Sequence, residues 1–229
     1  MTLEIYDDLE QGSPEWLEAR RGILTASTIG QLITPSRLQT ASNDKSRALI
    51  NELIAERITG YVEETYVSHD MLRGQWDEPI ARAAYEQHYA PVQEVGFMVR
   101  TINGDPLGYS PDGLVGDDGL IEIKSRKPRH QLDTILNDTV PTYYMAQIQT
   151  GLIVTGRSWC DFISYSGGMP LYVKRVHPDD GWQQAITNTL AHFEQKAAET
   201  ITAYETATAH LHPTERIDHD ELQGVELTL

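Results

Sequence analysis

The chain is short of several things, and each shortage closes a class of function. Cys160 is its one cysteine in 229 residues. A single thiol builds no internal disulfide framework, no four-cysteine metal site and no iron–sulfur cluster. It fits a reducing, cytosolic setting. No stretch approaches the roughly 20 apolar residues that a membrane helix needs. The opening residues, MTLEIYDDLEQGSPEW, lack the basic start and apolar run of a signal peptide. There is no internal repeat and no low-complexity tract. Positive charge is also scarce: 18 Lys and Arg stand against 34 Asp and Glu, for a net charge of −16. That balance argues against a general nucleic-acid binder.

The charge is unevenly distributed, however. Residues 1–18 carry six acids and no Lys or Arg, and residues 214–229 carry five acids against Arg216. By contrast, Lys124-Ser125-Arg126-Lys127-Pro128-Arg129-His130 holds four permanent cations and no acid. An acidic exterior with a basic groove can still hold DNA, because phosphate contacts are local and screened beyond about 8–10 Å.

The basic run begins where the most informative motif ends. Ser110-Pro111-Asp112-Gly113 is followed by Glu122-Ile123-Lys124 across an Asp-Gly turn. Alternate strand residues share a face, about 6–7 Å apart, so Glu122 and Lys124 point together and Ile123 points into a core. Two carboxylates and the Ile123 carbonyl are hard oxygen ligands suited to Mg²⁺. Phosphodiester hydrolysis needs an activated water and neutralised charge, which two ions about 3.5–4 Å apart supply. Lys124 would orient or deprotonate the water, or stabilise the pentacovalent state. On its own the motif also reads as a polar hairpin with a surface Glu–Lys pair.

The apolar periodicity predicts an α/β fold, a mixed central sheet flanked by helices. Helices are expected from Ser13 to about Gly22, over Thr25–Ile33, Asn43–Thr59, Leu72–Tyr89, Arg129–Leu136, Thr142–Val154 and Asp179–Tyr204. Pro79 is expected in a first turn or at a kink. Val92–Arg100, Leu107–Val115 and Leu120–Ser125 read as a meander, with later strands at Ser158–Tyr165 and Leu171–His177. Thr34–Asn43 reads as a loop. Residues 1–205 form one domain in this reading, and 206–229 an acidic, loosely held tail.

Further motifs match a family. Residues 16–27 (WLEARRGILTAS), 74–82 (GQWDEPIAR), Ser110–Gly113, Glu122–Lys124 and 144–149 (YMAQIQ) resemble, in order, the motifs of the phage lambda exonuclease family. These proteins are also called YqaJ-type viral recombinases and belong to the PD-(D/E)xK nuclease superfamily. The resemblance implies a restriction-endonuclease-like fold and a Mg²⁺-dependent 5′→3′ exonuclease on linear double-stranded DNA. It implies two Mg²⁺ ions, with Mn²⁺ as a substitute, release of 5′-mononucleotides and a 3′ overhang. It also implies a toroidal homotrimer, a single-strand annealing partner for recombination, and a cytoplasmic, bacterial or phage-encoded setting.

By position, the resemblance assigns Asp112, Glu122 and the Ile123 carbonyl as metal ligands and Lys124 as the catalytic lysine. It puts Glu78 beside the metals, as a ligand through water or as an acid orienting one, and brings Gln147 to the site from the following helix. Arg20, Ser27 and Ser110 match its 5′-phosphate pocket, and a guanidinium with hydroxyl donors suits a phosphate monoester. Plainer readings make Arg20 a surface helix residue, Ser27 a capping hydroxyl, Glu78 an acid favoured at a helix N-terminus and Gln147 a solvated side chain. Two alternatives remain at this level: a restriction-type or structure-specific endonuclease on the same core, and a non-catalytic DNA-end-binding protein.

Overall fold

A computed structural model of the chain describes residues 2–63 and 68–216. Strand β1 (Leu3–Tyr6) leads to α1 (Pro14–Arg20), whose N-cap Ser13 accepts from the Trp16 amide and whose first residue is proline. Then come β2 (Leu24–Thr25), α2 (Ala26–Ile29), a 3₁₀ turn at Gly30–Leu32, and the short pair β3 (Ile33–Thr34) and β4 (Gln39–Thr40). The expected Thr25–Ile33 helix is thus a strand, one helical turn and a 3₁₀ turn, and part of the expected Thr34–Asn43 loop is a hairpin. Helix α3 (Asp44–Thr59) opens on a capping box from Asn43 and Ser46 and closes on Gly60 in the left-handed region at φ 77°.

Helix α4 (His69–His88) begins three residues earlier than expected, capped by Ser68, and places Pro79 in its interior. Pro79 cannot donate to the Gln75 carbonyl, so one helical hydrogen bond is missing there. Strands β5 (Phe97–Ile102), β6 (Asp105–Tyr109), β7 (Gly113–Val115) and β8 (Gly119–Ser125) follow. Next come helices α5 (Pro128–Asn137) and α6 (Thr142–Thr155), strands β9 (Trp159–Tyr165) and β10 (Tyr172–Val176), and α7 (Asp180–Thr208). Helix α7 runs past the expected domain end at 205. The rest of the expected tail, residues 217–229, lies outside the described residues.

The meander is divided. Strands β1-β5-β6-β2 form one four-stranded sheet and β10-β9-β8-β7 another. The expected strand Leu107–Val115 breaks at Ser110-Pro111-Asp112, because Pro111 has no amide to give to a ladder. Each sheet is mixed. β2 runs parallel to β6 and β8 parallel to β9, with the remaining neighbours antiparallel.

Strand alternation sorts β8 onto two cores. Leu120 joins Phe162, Ile148 and Phe193 beneath α6 and α7, while Ile121 and Ile123 join Ala81, Tyr85 and Ile163 beneath α4. Each such fully buried side chain is worth about 1.5–3 kcal/mol. Glu122 and Lys124 therefore lie on the α6 side of a strand clamped from both faces.

Helices α3 and α7 are tied by a charged clamp. Arg57 makes a two-pronged pair with Glu194 at 2.7 and 2.6 Å, donates to the Gly22 carbonyl at 2.7 Å and stacks over Phe193. Both side chains keep some solvent contact, so Arg57→Ala should cost about 2 kcal/mol, below the ~3–5 kcal/mol of a fully buried pair. Urea denaturation tests this, and an unchanged midpoint would refute the clamp.

Candidate functional site

The break after Tyr109 aims Asp112 across the open edge of β8. Its Oδ2 accepts from the Ile123 amide at 2.6 Å. In a strand the N–H and C=O of one residue leave on the same side, so the Ile123 carbonyl faces the Asp112 side as well. Glu122 is fully buried. Its Oε2 accepts from the Tyr109 hydroxyl at 3.2 Å, and its Oε1 lies 2.6 Å from Lys124 Nζ. That approach is an ion pair and the one polar contact Oε1 makes among the described residues.

Burial dominates the protonation of this group. It pushes Glu122 up to about 7, against the pull of Lys124 and with added push from Asp112. Burial likewise raises Asp112, with Lys124 and the Ile123 amide opposing. Burial alone would lower Lys124, yet Glu122 and Asp112 hold its ammonium well above the usual lysine value. Lys124 is therefore a charged donor in this geometry.

Glu78 reaches the group from α4. Burial and the field of Asp112 raise it to about 7, with Arg82 and Lys124 opposing. Arg82, which sequence reasoning missed, is the brace. Its guanidinium donates to the Asp112 carbonyl at 2.9 Å, to Glu78 at 2.5 Å and to Glu94 at 2.7 Å. Its one sequence signal is its place four residues after Glu78. Tyr109 was also missed, since a tyrosine closing a strand looks like core.

Gln147 is half-buried on α6. Three residues before it, the Tyr144 ring lies 5.5 Å from Lys124 Nζ, and four residues after it, Gly151 abuts Tyr109. Residues 144, 147 and 151 share one helix face, which turns Gln147 toward Glu122 and Lys124. Gly151 is required there, because a Cβ would come within 2.8 Å of the Tyr109 ring.

Arg20, Ser27 and Ser110 come together by way of two further residues. Arg20 stacks 3.8 Å over the Trp16 ring and donates to Ser27 Oγ at 3.2 Å and to Thr25 Oγ1 at 3.4 Å. Trp16 Nε1 donates to Ser110 Oγ at 3.0 Å. Burial lowers Arg20 to about 10, with Glu56 pulling it back. Among the described residues no carboxylate forms an ion pair with Arg20. A guanidinium stacked on an indole, ringed by hydroxyls and free of a paired acid suits an anion.

Could the acids hold a metal? Among the described residues no three His, Cys, Asp or Glu side chains gather as a ligand set. Asp112, Glu122 and the Ile123 carbonyl offer two carboxylates and one backbone oxygen, with the buried Glu122 Oε1 held by the Lys124 ammonium alone. That fits Mg²⁺, which is held by one or two carboxylates and completes its shell with water and phosphate. The lone thiol, Cys160, is fully buried and its pKa is raised well above the usual value by burial, which leaves it inert. No helix among the described residues is long and apolar enough to cross a membrane.

Comparisons with known proteins identify the family. Residues 15–158 match the YqaJ-like viral recombinase domain. The alkaline exonuclease LHK-Exo of Laribacter hongkongensis is 34% identical over 87% of this chain and 100% of its own, with a TM-score of 0.76. The same protein in complex with dAMP matches equally well. A phage-related exonuclease from Haemophilus somnus 129PT, at 10% identity and a TM-score of 0.54 over 78% of this chain and 96% of its own, shares the fold. No curated protein matches the chain. With 144 consecutive residues inside that domain and a 34%-identical exonuclease spanned end to end, the chain belongs to the YqaJ-like viral recombinase family.

Proposed function

We propose that the protein is a Mg²⁺-dependent 5′→3′ exonuclease that degrades one strand of linear double-stranded DNA to 5′-mononucleotides, leaving a 3′ overhang. Family membership supports a nuclease acting on DNA. The finer reading rests on one juxtaposition. Ser110, bonded to Trp16 beneath Arg20, is two residues from Asp112. A phosphate monoester on Arg20 would thus anchor the 5′ end next to the acidic group, which selects that end. LHK-Exo was solved with dAMP, a mononucleotide, the class of product this reaction releases.

In this reading Asp112, Glu122 and the Ile123 carbonyl hold Mg²⁺. The metal supplies an activated water and neutralises charge on the phosphate. Lys124, held as an ammonium, donates to the developing oxyanion and orients the nucleophile. Glu78 sits at the edge of the group with a pKa near neutrality, suited to hold a water and take its proton. Tyr109 fixes Glu122, Arg82 fixes Asp112 and Glu78, and Gln147 borders the reacting centre. A homotrimer, two metal ions and a single-strand annealing partner belong to the proposal as family expectations.

One assay tests polarity and end selection together. With Mg²⁺, duplex bearing 5′-phosphates should release mononucleotides faster than duplex bearing 5′-hydroxyls, and Arg20→Ala should erase the difference. Cutting of a covalently closed circle would overturn the exonuclease reading in favour of an endonuclease. Lys124→Ala should lower turnover by about 10²–10³-fold, the usual cost of losing one transition-state donor, while DNA binding persists. A wild-type rate would remove Lys124 from the chemistry.

Proton competition supplies a metal test that needs no turnover. Glu122 and Glu78 titrate near 7 in the fold and lower when unfolded, so metal-free stability falls as pH rises toward and through 7. Mg²⁺ binds the ionised forms. Its addition should raise Tm clearly at pH 8 and little at pH 6, and equal rises at both would contradict these ligands.

A further inference from the structure

Beyond the metal ligands, β8 runs into a cleft of about 410 Å³ lined by Arg73, Ser125, Arg126, Lys127, Arg129 and the tyrosines Tyr143 and Tyr144, with Asp70 as its one acid. Arg126 is 8% exposed, and its Nε has no hydrogen-bond acceptor. Its Nη1 donates to the Tyr143 and Tyr144 hydroxyls. Among the described residues no carboxylate pairs with Arg126. A buried guanidinium without a counter-charge is costly, and it is the residue type best matched to a phosphate. The phenols that accept from Arg126 each keep one O–H to donate to the same anion.

The rest of the cleft strengthens this reading. Arg73 donates to Ser125 and to Asp70, and Lys127 pairs with Asp70 at 2.9 Å, so one exposed acid answers two cations. Among the described residues Arg129 reaches only the neighbouring His130. Four cations are thus concentrated in a chain of net charge −16. The Tyr144 ring joins the cleft to the reacting group, with Lys124 5.5 Å and Arg126 5.4 Å from its centroid. The two cations are therefore at most about 11 Å apart, no more than about three base steps even at the ~3.4 Å rise of a duplex. Tyr143 is 60% exposed and presents a ring on which a base can stack.

We infer that this cleft is a second phosphate site, which grips the sugar–phosphate backbone of a single DNA strand a few nucleotides from the reacting phosphodiester. The inference rests on the nuclease reading above. Arg126 takes a phosphate with the help of the two phenols, Lys127 and Arg129 hold the flanking backbone, and Tyr143 carries a base.

The test is the salt dependence of binding by the full chain in EDTA, where no hydrolysis occurs, using a 5′-phosphorylated duplex with a single-stranded 3′ extension. Each single-strand phosphate contact contributes about 0.7 to the slope of log Kd against log salt. The double variant Lys127→Gln/Arg129→Gln should flatten that slope by about 1.4. Lys45→Gln/Arg47→Gln, which removes two exposed charges elsewhere, should leave it unchanged. Arg126→Gln, checked for a native melting transition, should weaken binding as well. An unchanged slope in the first variant, beside a wild type that degrades DNA, overturns the cleft and leaves the nuclease standing. An equal slope change in the control pair reduces the effect to net charge and also overturns the cleft. If dAMP alone raises the wild-type Tm, does not raise that of Lys127→Gln/Arg129→Gln, and the DNA slope is unchanged, the cleft is a mononucleotide site and the strand assignment fails. A wild type that neither binds nor cuts DNA ends both readings.

Discussion

A carboxylate with no solvent exposure, Glu122, is the constraint around which the rest of the site is arranged. An isolated buried charge of that kind costs several kcal/mol, so it survives only with partners. Lys124, two residues on along the same strand face, supplies the counter-charge. The Tyr109 hydroxyl supplies the hydrogen bond, and Tyr109 has room to do so because residue 151 of the packing helix is glycine. The alternation of β8 then puts Ile121 and Ile123 under α4, which fixes the strand from its other face. The carboxylate's second oxygen meets only the Lys124 ammonium among the described residues, and its remaining lone pair is what a hard cation would complete.

A second layer ties α4 to this centre. Arg82 spans the Asp112 carbonyl, Glu78 and Glu94, so one helix and two connecting loops share one guanidinium. The break at Pro111 matters for the same reason. It frees the chain from one sheet before it joins the other, and it lets Asp112 turn its carboxylate onto the Ile123 amide. Ser110, on the near side of the break, keeps its hydroxyl on Trp16 and so on the Arg20 face. One local interruption thus links the acidic group to the Arg20–Trp16 group.

Much of this was legible in the sequence, for identifiable reasons. Ser13-Pro14 and Asn43 announced helix starts because capping chemistry is local. Glu122 and Lys124 were legible as a pair because strand alternation needs only adjacency. The family resemblance singled out Arg20, Ser27, Ser110, Glu78 and Gln147; in the fold Arg20 bonds Ser27, Ser110 bonds Trp16, and Glu78 lies in the field of Asp112. What escaped was set by distant packing. The short strands β1 and β2 take their form from partners such as Met98 and Leu107 rather than from their own pattern. Pro79 inside α4 runs against local propensity, and the packing of Ala81 and Tyr85 in the core keeps the helix intact around it. Trp16, Thr25 and Arg82 stand inside the motifs, but their contacts cross between elements and cannot be read from spacing, and Tyr109 lies outside the motifs.

The central claim is that Asp112, Glu122 and the Ile123 carbonyl form a cation centre beside Lys124. Anomalous scattering from crystals grown with Mn²⁺ tests it most directly. A peak is expected within coordination distance of all three oxygens, around 2.0–2.3 Å. A crystal with Mn²⁺ bound only elsewhere on the protein, or with none at this position at millimolar concentration and pH 8, would contradict it.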